Sequence, residues 1–335
     1  MTTANFGLSA AIGPIGIGLV GTGYAAKVRA EVVNAEPRAK LVGIVGNRPE
    51  TAAAFAANHQ TQVFPNWQAL INHSEVKLVI IANHNYAHAE IARAALFAGK
   101  HVVVEYPLAL EVSTAESLMA LAQNKGCLLH VEHIELLGGV HQALLEALPK
   151  VGAPFYARYA TVTPQHPAPQ KWTFNHELFG FPLMGALSRL HRFTNAFGQV
   201  TQVGCQANYL PSAVPGYYTS CLCTAQLRFS SGLIADVIYG KGEGVWVPER
   251  KLEVQGDRGA LVFNGDAGVL ISAQGEQPLE TSGRRGLFAR DTAAVLDHLL
   301  EGQPLYVTLA ESIYTMRIAE AARKAAETGQ VVQLA

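Results

Sequence analysis

Apolar and polar positions follow two different rhythms along this chain. Before about residue 135, short continuous apolar runs recur at 15–20 (IGIGLV), 40–46 (KLVGIVG), 77–82 (KLVIIA), 101–105 (HVVVE) and 128–131 (LLHV). Runs without alternation fit parallel strands buried on both faces. Between them, residues 27–34, 49–58, 67–72, 89–98 and 113–124 have helical character, with Gly99 placed to cap one helix and Ser113 spaced from Glu116 as a capping box. Five strands alternating with helices predict a doubly wound parallel sheet. Beyond 135 the rhythm changes. After a predicted helix at 136–148 come alternating stretches at 155–162, 200–208, 219–229, 233–239, 250–255 and 260–263, with turn residues at 230–232 and 256–259. Alternation of this kind predicts a large, open, mainly antiparallel sheet with one exposed face, with helices at 291–300 and 309–328 packing back on the body. The expected division is an α/β domain over 1–135 and an α+β sheet domain over 136–335.

The first apolar run leads directly into Gly21-Thr22-Gly23-Tyr24-Ala25-Ala26. Strand, tight glycine turn and helix make up the dinucleotide-binding signature of a Rossmann domain. In it one glycine makes the turn, the next lets backbone approach a pyrophosphate, and a small third residue packs helix on strand. The second strand ends in Asn47-Arg48, where an acidic residue would hydrogen-bond a ribose 2′-hydroxyl. Here the acid is missing and a guanidinium can pair a 2′-phosphate, so NADPH is expected, with NADH weaker. Parallel strands bind ligands at their carboxyl ends, which brings Ala82, Asn83, His84 and His88 into the cofactor set. The i, i+4 spacing of His84 and His88 could hold a metal, but no motif supplies a third ligand and none is expected.

Composition narrows the class. Of 335 residues, 49% are apolar and only 15% charged, against about 25% charged in ordinary soluble chains, so much of the chain should be buried. A net charge of −1 gives no electrostatic case for nucleic acid or an anionic membrane. Met1 to Gly13 lacks the features of a secretory signal and no run is long enough to span a bilayer, so a cytoplasmic protein is expected. Cys127, Cys205, Cys221 and Cys223 read as buried thiols. Nothing in the sequence bears on oligomeric state.

The glycine turn, Glu105-Tyr106-Pro107 and the order of elements resemble the glucose-fructose oxidoreductase and inositol dehydrogenase superfamily over essentially the whole chain. That superfamily reads Glu-Lys-Pro at the fifth strand and carries an Asp and a His four apart on a later helix. Here Tyr106 replaces the lysine, Gly185 falls at the aspartate position and Arg189 at the histidine position, so polyol oxidation is in doubt. One branch shares these departures. Gly21 to Ala26, Glu105 to Leu110, His130 to Leu137, Phe179 to Pro182, Ser188-Arg189 and Arg284 to Phe288 resemble the biliverdin reductases, most closely the cyanobacterial type. The resemblance implies NADPH-dependent reduction of biliverdin to bilirubin, with hydride going to the central methine carbon.

Such a reaction needs orientation, charge stabilisation and a proton route. Glu105 is assigned to cofactor contact. Tyr106 either shapes the site, with a hydrogen bond, or fills its wall. Glu132, His133 and Glu135 are either pigment contacts or a satisfied hydrogen-bond network. Arg189, Tyr106 and Glu132 are the catalytic candidates. Arg189 could instead only anchor a propionate, for which Arg192 is a second cation. Trp172 and Phe181 either stack on pyrrole rings or belong to the core. Two other readings stand beside this one: a sugar or polyol dehydrogenase with another proton relay, and a sensor that binds NADPH and pigment without turnover.

Overall fold

The computed structural model describes residues 13–334, so the absence of a secretory signal read from Met1–Gly13 falls almost wholly outside it. The chain divides into two units. The first takes the chain up to Ile134 together with Gly286–Ile313, and the second takes Glu135–Arg285 and Tyr314–Ala335.

The first unit is a parallel sheet of six strands: β1 (Ile15–Val20), β2 (Ala39–Val45), β3 (Gln62–Val63), β4 (Leu78–Ile81), β5 (His101–Glu105) and β6 (Leu129–Glu132). Their order is β3-β2-β1-β4-β5-β6, the doubly wound dinucleotide order. The intervening helices are α1 (Tyr24–Ala35), α2 (Pro49–Asn58), α3 (Trp67–Asn72), α4 (Asn85–Phe97) and α5 (Val112–Lys125). Every residue of β1 is buried, and its Ile17 and Leu19 share a core with Ile44, Ile80 and Val103. Val295, Leu296 and Leu299 of α10 (Leu287–Glu301) join that core, so this helix belongs to the nucleotide half rather than to the sheet domain. β3 escaped the sequence reading because it is two exposed residues long. The capping box at Ser113 does not form: the helix starts one residue earlier, Glu111 is its N-cap, and the Ser113 carbonyl accepts from Ser117.

The second unit begins with α6 (Gly139–Ala147), followed by a short 3₁₀ turn, Leu148–Val151, so the helix expected at 136–148 is shorter. Its sheet has nine strands: β7 (Pro154–Pro164), β8 (Val200–Pro211), β9 (Tyr218–Phe229), β10 (Ile234–Gly242), β11 (Glu249–Gly256), β12 (Gly259–Asn264), β13 (Ala267–Ser272), β14 (Gly275–Leu279) and β15 (Val332–Gln333). The order is β14-β13-β12-β11-β7-β10-β9-β8-β15, antiparallel except for the pairing of β7 with β10. On the inner face lie Ala157 and Tyr159 of β7, Ala235 and Val237 of β10, and Cys221, Cys223, Ala225 and Leu227 of β9, all buried. Their neighbours in sequence, such as Arg158 and Asp236, face outward and are only half-buried. The four cysteines are buried free thiols. Between β7 and β8 run α7 (His176–Phe179), α8 (Pro182–Gly185) and α9 (Ser188–Phe197), and α9 lays Phe193 against Tyr159. The last helix, α11 (Leu309–Thr328), sets Thr315 against Thr194.

Candidate functional site

In the first unit the polar features gather at the carboxyl ends of the parallel strands. Gly21 turns the chain at φ +128°, and a Cβ there would lie 2.2 Å from the Ala82 carbonyl oxygen. That close approach is the switch point between β1 and β4, and it makes buried Ala82 a seat for the turn rather than a ligand contact. Gly23 differs. It is the N-cap of α1, no side chain caps the helix, and a Cβ added at Gly23 would meet nothing within 4 Å. The first amides of α1 therefore face open space, the arrangement a pyrophosphate needs. Thr22 packs where a Cβ on Gly46 would fall, Tyr24 is 79% exposed, and Ala25 packs on the core. From this turn a groove of about 670 Å³ follows α1 past Lys27 and Glu31 to Phe55 and His59.

Asn47 and Arg48 are exposed at the end of β2, where Arg48 is the N-cap of α2. At the end of β4 the Asn83 Oδ1 and His84 Nδ1 atoms are buried without a hydrogen-bond partner, and burial lowers the pKa of His84. Orphaned polar atoms beside an open helix N-terminus fit a polar ligand along this edge. His88 does not join them. It is fully buried, with Nδ1 2.8 Å from the Pro107 carbonyl oxygen and Nε2 3.3 Å from that of Asn83. Its role is to brace the turn after β5, a correction to its expected cofactor contact. Among the described residues no three His, Cys, Asp or Glu side chains gather as a metal site.

The deepest polar cluster lies at β5 and β6. Strand register sets Glu105 beside Glu132. Arg29, buried in α1, donates from Nε to Glu105 Oε1 at 3.0 Å and from Nη1 to Asp291 and to Thr292 Oγ1. Asp291 also accepts from the Tyr306 hydroxyl at 2.7 Å and lies 2.8 Å from His130 Nε2. Despite the cost of burial, Arg29 and His130 hold the Asp291 carboxyl far below its usual range. Glu132 is driven the other way, well above its usual value, by burial first and by Glu105 second. Glu105 is thus held in place by Arg29, with part of its side chain still exposed. His133 is also buried, so it is no pigment contact: Nε2 meets Ser312 Oγ at 2.9 Å and the ring stacks on Tyr106 at 5.5 Å and 3°. Tyr106 is therefore an aromatic held flat by a buried histidine.

In the second unit Arg189, half-buried at the start of α9, donates from Nε to Thr161 Oγ1 at 3.1 Å and from Nη1 to Ser188 Oγ at 3.0 Å. Its guanidinium lies 5.4 Å from the centre of the Tyr239 ring. Also near Tyr239 is a residue that the sequence did not single out. Lys241 is buried, donates to the Thr173 carbonyl, and sits 3.8 Å from the Phe179 ring centre and 4.8, 5.7 and 5.6 Å from those of Phe174, Tyr218 and Tyr239. Burial brings its pKa down to about 8. Trp172 packs on Phe179 at 5.9 Å, and Phe181, half-buried, begins α8. A Cβ on Gly185 would fall 2.4 Å from the Phe179 ring, so a side chain here would have to displace that ring. Arg192 is a correction. It is 2% exposed, bonds Glu135 through Nη2 at 3.3 Å and lies over Tyr159, so it braces α9 instead of offering a charge to a propionate. Glu135 carries Arg284 as well.

A Rossmann unit with an open glycine turn and a unit built on a large mixed sheet define a two-part nucleotide-dependent oxidoreductase. The chain belongs to the oxidoreductase family that includes the glucose-fructose oxidoreductases and inositol dehydrogenases. Residues 15–133 match its NAD-binding Rossmann fold and residues 148–334 its C-terminal alpha/beta domain. The crystal structure of biliverdin reductase from Synechocystis sp. PCC 6803, in complex with biliverdin and NADP⁺, is similar over 94% of this chain and 99% of that one, with 51% identity and a TM-score of 0.92. Human biliverdin reductase A is 29% identical over 194 residues, which is 56% of this chain and 60% of the human protein. UDP-N-acetylglucosamine 3-dehydrogenase of Acidithiobacillus ferrooxidans is 31% identical over 150 residues, 45% of this chain and 46% of that protein. No helix among the described residues is long and apolar enough to cross a membrane.

Proposed function

We propose that this protein reduces biliverdin to bilirubin with NADPH, in the cytoplasm. The observation that carries the reading is the 51% identity, spread over 94% of the chain, to a biliverdin reductase. The altered positions support it. Tyr106 stands where polyol dehydrogenases of this superfamily have lysine, Phe179 closes the space an aspartate would need at Gly185, and Arg189 replaces the histidine. The lysine, aspartate and histidine with which that superfamily handles a sugar alcohol's proton are absent, which puts polyol oxidation in doubt.

In this reading the first amides of α1, from Tyr24 on beside the Gly23 N-cap, hold the pyrophosphate, Arg48 pairs the 2′-phosphate, and Asn83 and His84 offer polar atoms along the same edge. When bound, NADPH supplies the hydride that the pigment's central methine carbon accepts. Arg189 supplies fixed positive charge against the electron density the pigment gains, oriented by Thr161 and Ser188. A guanidinium keeps its proton at any physiological pH and is a poor acid, so the proton must come through another group. Trp172 and Phe181 offer flat apolar surface to the pyrrole rings.

Loss of biliverdin colour with purified protein and NADPH tests the reading, with slower loss expected for NADH. Oxidation of sugars with NADP⁺ and no action on biliverdin would replace it with a polyol dehydrogenase. Tight binding of both ligands without turnover would make the protein a sensor or carrier.

A further inference from the structure

We propose that Glu105 and Glu132 share one proton at the carboxyl ends of β5 and β6, and that this pair is the proton store of the reduction, with Arg29 and Asp291 as positioning residues. The proposal rests on the biliverdin reading. Geometry carries it. The two glutamates are register partners on adjacent parallel strands, so both side chains leave the same face of the sheet next to each other. Two like charges this close and largely out of water are not both held, so one of the pair carries a proton.

The surroundings decide which one. Glu132 is 1% exposed, and its Oε1 accepts the Ile134 backbone N–H at 2.6 Å, which leaves Oε2 to carry the proton. Glu105 takes the Arg29 Nε–H at 3.0 Å and is 16% exposed, so it is the ionised, reachable member. Arg29 already faces two carboxylates, Glu105 and Asp291, and a third negative charge in this dry space would go uncompensated. The other ionisable neighbours do not change the count. Tyr306 and His130 are both engaged with Asp291, and His88, the histidine of α4 that feels Glu105, is held toward its neutral form by burial. The whole cluster lies within the first unit.

Reduction of the pigment adds a hydride to carbon and a proton to nitrogen. In the proposed sequence the Glu132 proton moves to Glu105, and Glu105 releases it toward the pigment nitrogen, directly or through water. The pair then regains a proton from solvent and ends unchanged, so the net reaction consumes one hydride and one proton.

Infrared difference spectroscopy of the ligand-free protein across pH 5 to 9 tests the shared proton without any substrate. The expected result is a protonated-carboxyl band that persists above pH 7, vanishes in Glu132→Gln, and titrates at lower pH in Glu105→Gln, where the like charge is gone. Single-turnover reduction of biliverdin tests its use: Glu132→Gln should slow it by about a hundredfold, the scale for losing a positioned acid. Glu105→Gln, which removes the group that hands the proton on, should slow it to a similar degree and abolish the alkaline limb of the native pH profile. Arg29→Lys should keep the limb of the native protein where Arg29→Met does not. No carboxyl band at pH 7, or a band untouched by Glu132→Gln, overturns the shared proton even if biliverdin is reduced. The expected band in a protein that leaves biliverdin unchanged overturns the functional reading instead, and with it the store's role.

Discussion

Arg29 and Lys241 are both buried cations, one in each unit, and the structure treats them in opposite ways. Arg29 has Glu105 and Asp291 on its guanidinium, with Phe288 4.9 Å below, and its charge is locked on. Lys241 has four aromatic rings and one carbonyl, with no carboxylate, and its pKa drops to about 8. Ring faces attract a cation, but they do not replace the water it gave up as fully as an anion does. Burial alone therefore does not set the state of a charged group. What faces it does.

The largest test of this contrast is Arg29→Met. Removing the guanidinium leaves two carboxylates buried without a counter-ion, and unfolding by denaturant at pH 7 should show a loss of about 3–5 kcal/mol. A loss below about 1 kcal/mol would mean that water reaches the cluster. Lys241→Met should behave differently. Because burial lowers the Lys241 pKa in the folded chain from the ordinary 10.5 to about 8, the unfolded chain binds more protons between about pH 8 and pH 10.5. Native stability should therefore rise through that window relative to the methionine variant, by about 3 kcal/mol in total. A difference between the two proteins that stays constant with pH would break the contrast.

Arg189 sharpens it from the other side, as the half-buried cation that shares Tyr239 with Lys241. Arg189→Ala should lower turnover of biliverdin by about a hundredfold, equivalent to about 2.7 kcal/mol, with NADPH affinity intact. If only the Michaelis constant for biliverdin rose, Arg189 would be an anchor. The smallest effect concerns the exposed cation at the end of β2. Arg48→Ala should raise the Michaelis constant for NADPH about tenfold, near 1.5 kcal/mol, and leave that for NADH nearly unchanged. Equal effects on the two cofactors would remove the 2′-phosphate from its role.

Most of the first unit was legible because its strands are continuous apolar runs and its turn is a glycine signature. The strands missed were β3, two residues long, and the late strands β13, β14 and β15, in which only Leu270 is buried and no regular alternation of buried and exposed positions shows. The buried ions had a signal that went unused. Arg29 stands in the stripe Ala26, Arg29, Ala30, Val33 that α1 buries, and Asp291 stands in the corresponding stripe of α10 with Leu287 and Val295. Lys241 continues the inward alternation Ala235, Val237, Tyr239 of β10. A charge at an apolar position of a periodic element marks a buried ion. What the sequence could not supply is the partner, because Arg29 and Asp291 are 262 residues apart. For the same reason His88, His133 and Arg192 were legible as polar residues near a rim but not as struts. Their commitments, to Pro107, Ser312 and Glu135, are set by packing.

The contact between Gly185 and Phe179 ties the α8 backbone to the ionisation of Lys241. A Cβ at Gly185 would fall 2.4 Å from the Phe179 ring, and that ring lies 3.8 Å from the Lys241 ammonium. A larger residue at Gly185 would push the ring off the lysine and let water reach it, which favours the charged form. The absence of one methyl group on α8 thus keeps a strand lysine dry.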